Sequence, residues 1–113
     1  MNAPQTYLRR KQYGDKSWKA NTVEDFVIND RLARLDVSTF KNENGQLVTA
    51  ASIGFIKGEV VTTAIFSDFY RRIAVSKVRC TEKAVSEQQA RAVAQWDNLK
   101  ADVLAYYAAK QAA

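Results

Sequence analysis

The sequence predicts an α+β fold: an antiparallel meander of four to five strands followed by a long C-terminal amphipathic helix. Three observations predict it. Residues 23–82 alternate apolar and polar side chains between short turn signals, as strands do. The connections between these runs are too short for parallel crossovers, so neighbouring strands run antiparallel. Residues 86–111 are rich in Ala, Gln and Glu, with apolar residues recurring at helical spacing. At 113 residues the chain suits one domain with one core. Residues 1–22 form a basic, ring-bearing N-terminal arm, read as flexible, and residues 23–113 form the folded domain.

The elements follow in order. Val23–Ile28 reads as a short strand and Arg31–Lys41 as a longer one. Asn44-Gly45 marks a tight turn, because both residues tolerate positive φ. Leu47–Ile56 is the next strand, and Lys57-Gly58 signals a second hairpin. Val60–Phe66 is rich in β-branched residues, which fit a pleated surface, and Ser67-Asp68 breaks it. Arg71–Cys80 closes the meander, with Lys77 and Arg79 on the face of Ile73 and Val75. Ala74, Val78 and Cys80 take the core face.

The helix is expected to start at Ser86. An S-x-x-Q capping box pairs Ser86 with Gln89, Glu87 suits the positive helix end, and Glu87 with Arg91 forms an i,i+4 pair. Val93, Trp96, Leu99 or Lys100, Val103 and Tyr107 make the buried stripe, and Tyr106 falls off it. Both faces of the hairpin built from Leu47–Ile56 and Val60–Phe66 are apolar, while one helix covers one face. A second layer is therefore expected, most simply from a homodimer.

Several function classes are excluded or disfavoured. The chain has no histidine, which removes the commonest general base and metal ligand. No phosphate-binding glycine loop occurs, and no Ser–His or Cys–His pair can be built. Asp36, Glu59, Asp68 and Lys77 are the sensible candidates for a carboxylate nuclease, but their spacing matches no motif. No enzyme activity, metal or cofactor is expected. Cys80 is the only cysteine, which rules out an intrachain disulfide and reads as a buried small hydrophobe. No apolar run is long enough to span a bilayer and no secretory h-region opens the chain, so a cytoplasmic location, in a bacterium or an infected host, is expected.

Charge and rings point to the function. The net charge is +5, which favours a polyanionic partner. In the arm, Arg9, Arg10, Lys11, Lys16 and Lys19 alternate with Tyr7, Tyr13 and Trp18, opposed only by Asp15. Cations attract phosphate and rings stack on bases, a combination suited to single-stranded nucleic acid. Arg34, Lys57, Tyr70, Arg71, Arg72, Lys77 and Arg79 extend the expected surface over the sheet, with Tyr13 and Trp18 as the stacking rings. Arg34 shares a strand face with Phe40, and Lys41 falls on the other. Phe40, Phe55 and Phe66 are read as core rings, and Trp96 and Tyr107 as packing residues.

The strands Arg31–Lys41, Leu47–Ile56, Val60–Phe66 and Arg71–Cys80, the helix from Ser86 and the preceding basic arm resemble the single-stranded-DNA-binding fold of the Whirly and positive-cofactor transcriptional coactivator families. The resemblance is one of element order and carries no site residue across; the strand at Val23–Ile28 departs from the simplest version. It implies helices that pair subunits and sheets that grip DNA. An OB-fold is the competing β architecture, but its helix belongs between strands three and four, where this chain has only a turn. The expected function is a small, non-enzymatic, dimeric protein that binds single-stranded DNA in preference to RNA, with little sequence preference. Such a protein would serve replication or transcription. The alternative is a phage- or plasmid-type regulator docking on an acidic host protein.

Overall fold

The computed structural model describes residues 4–14, 16–57, 60–61 and 69–112. The protein is α+β: an antiparallel meander sheet followed by C-terminal helix. The strands are β1 (Gln5–Arg10), β2 (Trp18–Ile28), β3 (Arg31–Lys41), β4 (Leu47–Lys57), β5 (Val60–Val61) and β6 (Tyr70–Ser76). Two helices follow, α1 (Glu82–Val93) and α2 (Trp96–Ala112). β1 to β4 pair in chain order, and β5 and β6 share the far edge of β4, opposite its Ile56–Lys57 end and its Leu47–Ser52 stretch respectively.

Strand structure starts earlier than residue 23. β2 runs across the boundary expected at residue 22, and β1 pairs with it from Gln5↔Val23 to Arg10↔Trp18. Val23–Ile28 is thus the second half of an eleven-residue strand. The β2–β3 connection is a two-residue turn with Asn29 at φ 49° and Asp30 at φ 65°. Asn and Asp enter this left-handed region at lower cost than other side chains, and two such residues match the strand twist. The β3–β4 connection is longer than the tight Asn44-Gly45 turn expected. Asn42 Oδ1 accepts from the amides of Asn44 and Gln46 at 3.0 and 2.9 Å, and Gly45 alone of the pair turns to positive φ, 76°. Of the strand expected at Val60–Phe66, Val60–Val61 is β5; the remainder, with Gly58, Glu59 and the Ser67-Asp68 break, lies outside the described residues.

β6 ends at Ser76 instead of Cys80, and a bulge opposite Thr49/Ala50 makes Ile73 its extra residue. The bulge shifts parity for Arg71 and Arg72 ahead of it, while Ala74 keeps the core face expected of it. Ala74 and Ser76 face the helices, while Lys77, Val78 and Arg79 leave the ladder and are exposed. Val78 therefore does not join the core, being 52% exposed. Cys80 is half-buried, its thiol donating to the Trp18 carbonyl at 3.4 Å.

The helix begins one turn before Ser86. Thr81 is the N-cap, its Oγ1 accepting from the Ala84 amide at 3.1 Å, so Ser86 lies inside α1 and no Ser86–Gln89 capping box forms. The surface pair on this turn is Lys83–Glu87, at 3.9 Å, in place of the expected Glu87–Arg91. Thr81→Ala is expected to cost about 1 kcal/mol, read from the urea unfolding midpoint. A cost near zero would mean that Thr81 does not hold the start of α1. Ala94 and Gln95 then break the helix, with no glycine or proline involved.

The helices cover one sheet face. The main core joins Leu35, Val37, Ala51 and Ile53 of the sheet to Trp96, Leu99, Val103 and Tyr107 of α2. A smaller cluster of Ala20, Leu47 and Val85, packed by Trp18 and Cys80, lies near the start of α1. A hydrogen-bonded polar belt crosses the sheet beneath α1. Thr6 bonds Thr22 at 2.8 Å, Gln89 Nε2 donates to Thr22 at 2.8 Å, and Thr39 donates to Gln89 Oε1 at 2.6 Å. Thr39 also bonds Thr49 at 2.7 Å, Gln88 Nε2 donates to Thr49 at 3.0 Å, and Ser76 donates to Gln88 Oε1 at 3.0 Å. One hydroxyl from each long strand is thereby matched to two glutamines of one helical turn. A one-residue slip of any strand would bury these groups without partners, so the belt penalises wrong registers.

The other sheet face is polar through its middle. Arg34 donates to both carboxylate oxygens of Asp25, at 2.7 and 3.0 Å, and Ser38 donates to Asp36 at 2.9 Å. This polar stretch lies on β2 and β3; of the hairpin for which a second layer was expected, residues 62–66 lie outside the described residues. Val48 is buried on the same face between its ladder neighbours Phe40 and Val75.

Candidate nucleic-acid interface

One end of the molecule gathers the cations. The β1–β2 loop, the β3–β4 loop and the β6–α1 connection all fall at this end, because each joins strands through the same side of the meander. Arg10 and Lys16 of the β1–β2 hairpin, Lys41 and Arg79 come from three separate chain segments to line one open cleft of about 590 Å³, with Trp18, Cys80 and Thr81. Glu82 is the sole carboxylate among its lining residues.

Local structure fixes the cleft. The Lys11 amide donates to the Ser17 carbonyl at 2.9 Å, closing the β1–β2 loop. Arg10 Nε donates to the Lys16 carbonyl at 2.8 Å, which draws the arginine over the loop while leaving the Lys16 ammonium exposed. Lys16 and Gly14 take positive φ, 53° and 76°. Trp18 is half-buried, one side packed on the cluster of Ala20, Leu47 and Val85, so it floors the cleft and does not project as a free ring. Tyr13, on the same loop as Lys16, is 84% exposed and is the ring with an open face. The cleft also borders the N-cap of α1, where unpaired amides and the helix dipole add positive potential.

The same end carries cations on the polar sheet face. Arg9 lies directly opposite Lys19 in the β1–β2 ladder, next to the Ala20↔Thr39 pair that ends the β2–β3 ladder. Like charges directly opposite repel, a cost that a bound anion would relieve. Lys11 and Lys77, which directly follow β1 and β6, are also exposed at this end.

Of the residues singled out in the sequence, Arg9, Arg10, Lys11, Tyr13, Lys16, Trp18, Lys19, Lys77 and Arg79 thus fall at one pole. The others do not join them. Arg34 sits in mid-sheet, its guanidinium pKa raised by the hydrogen bond to Asp25. Lys57 closes β4 at the opposite end. Tyr70, 59% exposed, opens β6 away from the cleft. Arg71 bonds Asp102 of α2 at 2.8 Å and lies over the Phe69 ring at 5.3 Å. Arg71 and Arg72 both border a separate hollow against α2, lined also by Gln95 and Asn98. Lys41 was missed: its parity put it off the face of Arg34, and only the hairpin geometry brings the end of β3 beside Arg79.

Phe55 packs edge-on against Tyr107 at 5.6 Å, under the Arg31 guanidinium at 4.1 Å, and Tyr106 stacks edge-on with Phe69 at 5.5 Å. Phe66 lies outside the described residues, as do Glu59 and Asp68 of the nuclease candidates. Among the described residues no cluster of three or more His, Cys, Asp or Glu could hold a metal ion, and no helix is long and apolar enough to cross a membrane. Comparison with protein families, with curated proteins and with solved structures returned no match.

Proposed function

We propose that the protein binds single-stranded nucleic acid, DNA in preference to RNA, at this basic pole, by equilibrium binding without turnover. The observation that carries the reading is the convergence of Arg10, Lys16, Lys41 and Arg79 on one cleft beside an exposed ring. Four cations from three segments held in one concavity create a focused positive potential, the usual footprint of phosphate recognition. Tyr13 supplies a face on which an unpaired base stacks, whereas a duplex hides its base faces. The Arg9–Lys19 pair continues the track around the sheet end. The resemblance in element order to single-stranded-DNA-binding coactivators points the same way.

The test is fluorescence anisotropy with a labelled single-stranded oligonucleotide at low and moderate salt, with duplex and RNA as competitors. Binding is expected to weaken with log–log slope of about −0.7 per phosphate contacted, and the single DNA strand is expected to outcompete both. No binding at low salt, or affinity flat with salt, would retire this reading.

A further inference from the structure

β1 is an anomaly in its own sheet. All six of its residues are exposed, so it contributes no buried side chain to the core. It is held by its ladder with β2 and by the Thr6–Thr22 hydroxyl bond. Among the described residues its outer edge is unpaired, with alternate backbone N–H and C=O groups turned away from β2. The sheet's other edge is blunted by the β6 bulge. β1 has no bulge and no covering helix: α1 lies over β2, β3 and β4.

The two faces of β1 differ. On the helix side, Thr6 and Leu8 border a groove of about 500 Å³ whose other wall is Ala90, Val93 and Ala94 of α1. The groove is mainly apolar, and Leu8 stands 39% exposed in it. On the opposite side stand Tyr7 and Arg9, with Arg9 facing Lys19. An added strand would therefore meet an apolar slot on one face and, on the other, the Arg9–Lys19 pair at the loop end, with Asp25 and Asp36 farther along the hollow that Arg9 lines.

We propose that the free edge of β1 accepts an extended segment of a partner protein in which apolar and acidic residues alternate. Backbone pairing supplies the affinity, the α1 groove takes the apolar side chains, and Arg9 and Lys19 take the carboxylates. This surface shares Arg9 and Lys19 with the proposed nucleic-acid site but does not depend on that reading. A nucleic acid has no ladder of amides to offer the edge and no use for the apolar slot. A second copy of the chain is disfavoured by charge, since β1–β1 pairing would bring Arg9, Arg10 and Lys11 of two chains, each at +5, to one seam.

The probe is a fluorescein-labelled synthetic peptide alternating valine with aspartate, titrated against the full chain. Saturable binding is expected, weakened about tenfold by Leu8→Gln and by Arg9→Gln, each about 1.4 kcal/mol. Thermal unfolding near that of the parent would show both variants folded. N-methylation of alternate peptide amides should abolish binding in one parity and spare it in the other, as strand pairing requires. Absence of binding or equal effects of both parities would overturn the proposal. So would self-association of the protein alone that Leu8→Gln abolishes, which would give the edge to a second copy. An oligonucleotide that fails to bind at all, while the peptide binds as described, would retire the nucleic-acid reading and leave this one standing.

Discussion

Glu24→Leu is expected to destabilise the fold by about 3–5 kcal/mol, the range for removing one partner of a buried ion pair. Glu24 is 8% exposed on β2, under the helices. One carboxylate oxygen accepts from the Trp96 indole at 2.9 Å, and the other from the Lys100 ammonium. The leucine would leave a mostly buried ammonium and an indole N–H unpaired. The Phe26 ring, 4.8 Å from Lys100 Nζ, compensates for only part of this. Lys100→Met alone is expected to be damaging for the mirrored reason, since it leaves the carboxylate buried. The double variant Glu24→Leu/Lys100→Met should recover more than half of the loss, because neither charge then remains. The Trp96 N–H accounts for the residue, about 1 kcal/mol. Urea unfolding midpoints of the three variants check this, and losses that simply add would sink the claim that the groups act as a pair.

This pair does more than fill space. Trp96 is the first residue of α2, and the break at Ala94–Gln95 lies immediately before it. Gln88 and Gln89 tie α1 to β2, β3 and β4, while Trp96 and Lys100 tie the start of α2 to β2. Two anchored helical turns on either side of the break fix how α2 crosses the sheet. The break was not legible in the sequence, because the buried positions Val85, Gln89, Ala92, Trp96, Leu99, Val103 and Tyr107 keep helical spacing straight through it. Periodicity reports which face is buried and is silent on a change of axis that leaves the face intact.

The same distinction explains what else could and could not be read. β3 and β4 were legible, because their alternation matches a half-covered sheet. The polar belt was not, since Thr22, Thr39 and Thr49 look like surface residues until their parity with Leu35, Val37, Ala51 and Ile53 is noticed. Gln89 invited a capping role at Ser86, yet a buried set of hydroxyls competes for its amide and Thr81 caps the helix. β1 and the front of β2 were hidden by composition: cations and rings dominate Tyr7–Lys19, and an exposed edge strand shows no apolar alternation. The cleft was half legible. Its β1–β2 cations are close in sequence, but Lys41 and Arg79 reach it through tertiary structure.

Reversing two charges of the cleft, Lys16→Glu with Arg79→Glu, is expected to weaken single-strand binding about ten- to hundredfold near 0.1 M salt and to flatten the salt slope by about two phosphate contacts. Both side chains are exposed, and neither makes an ion pair among the described residues, so the fold should tolerate the change. Arg71→Glu with Arg72→Glu, the same charge change elsewhere, should move the affinity less than about twofold beyond the general effect of net charge, because both arginines border the hollow against α2, away from the cleft. Tyr13→Ala separates stacking from charge. It should cost about 1–3 kcal/mol of binding with the salt slope unchanged, since a ring releases no counterion. The discriminating comparison is between Lys16→Glu/Arg79→Glu and Arg71→Glu/Arg72→Glu, measured at matched ionic strength with the same oligonucleotide. Equal losses would mean that the chain binds through its overall charge and that the cleft has no special part. A loss confined to the cleft variant, with Tyr13→Ala acting independently of salt, would place phosphates among Arg10, Lys16, Lys41 and Arg79 and a base on Tyr13.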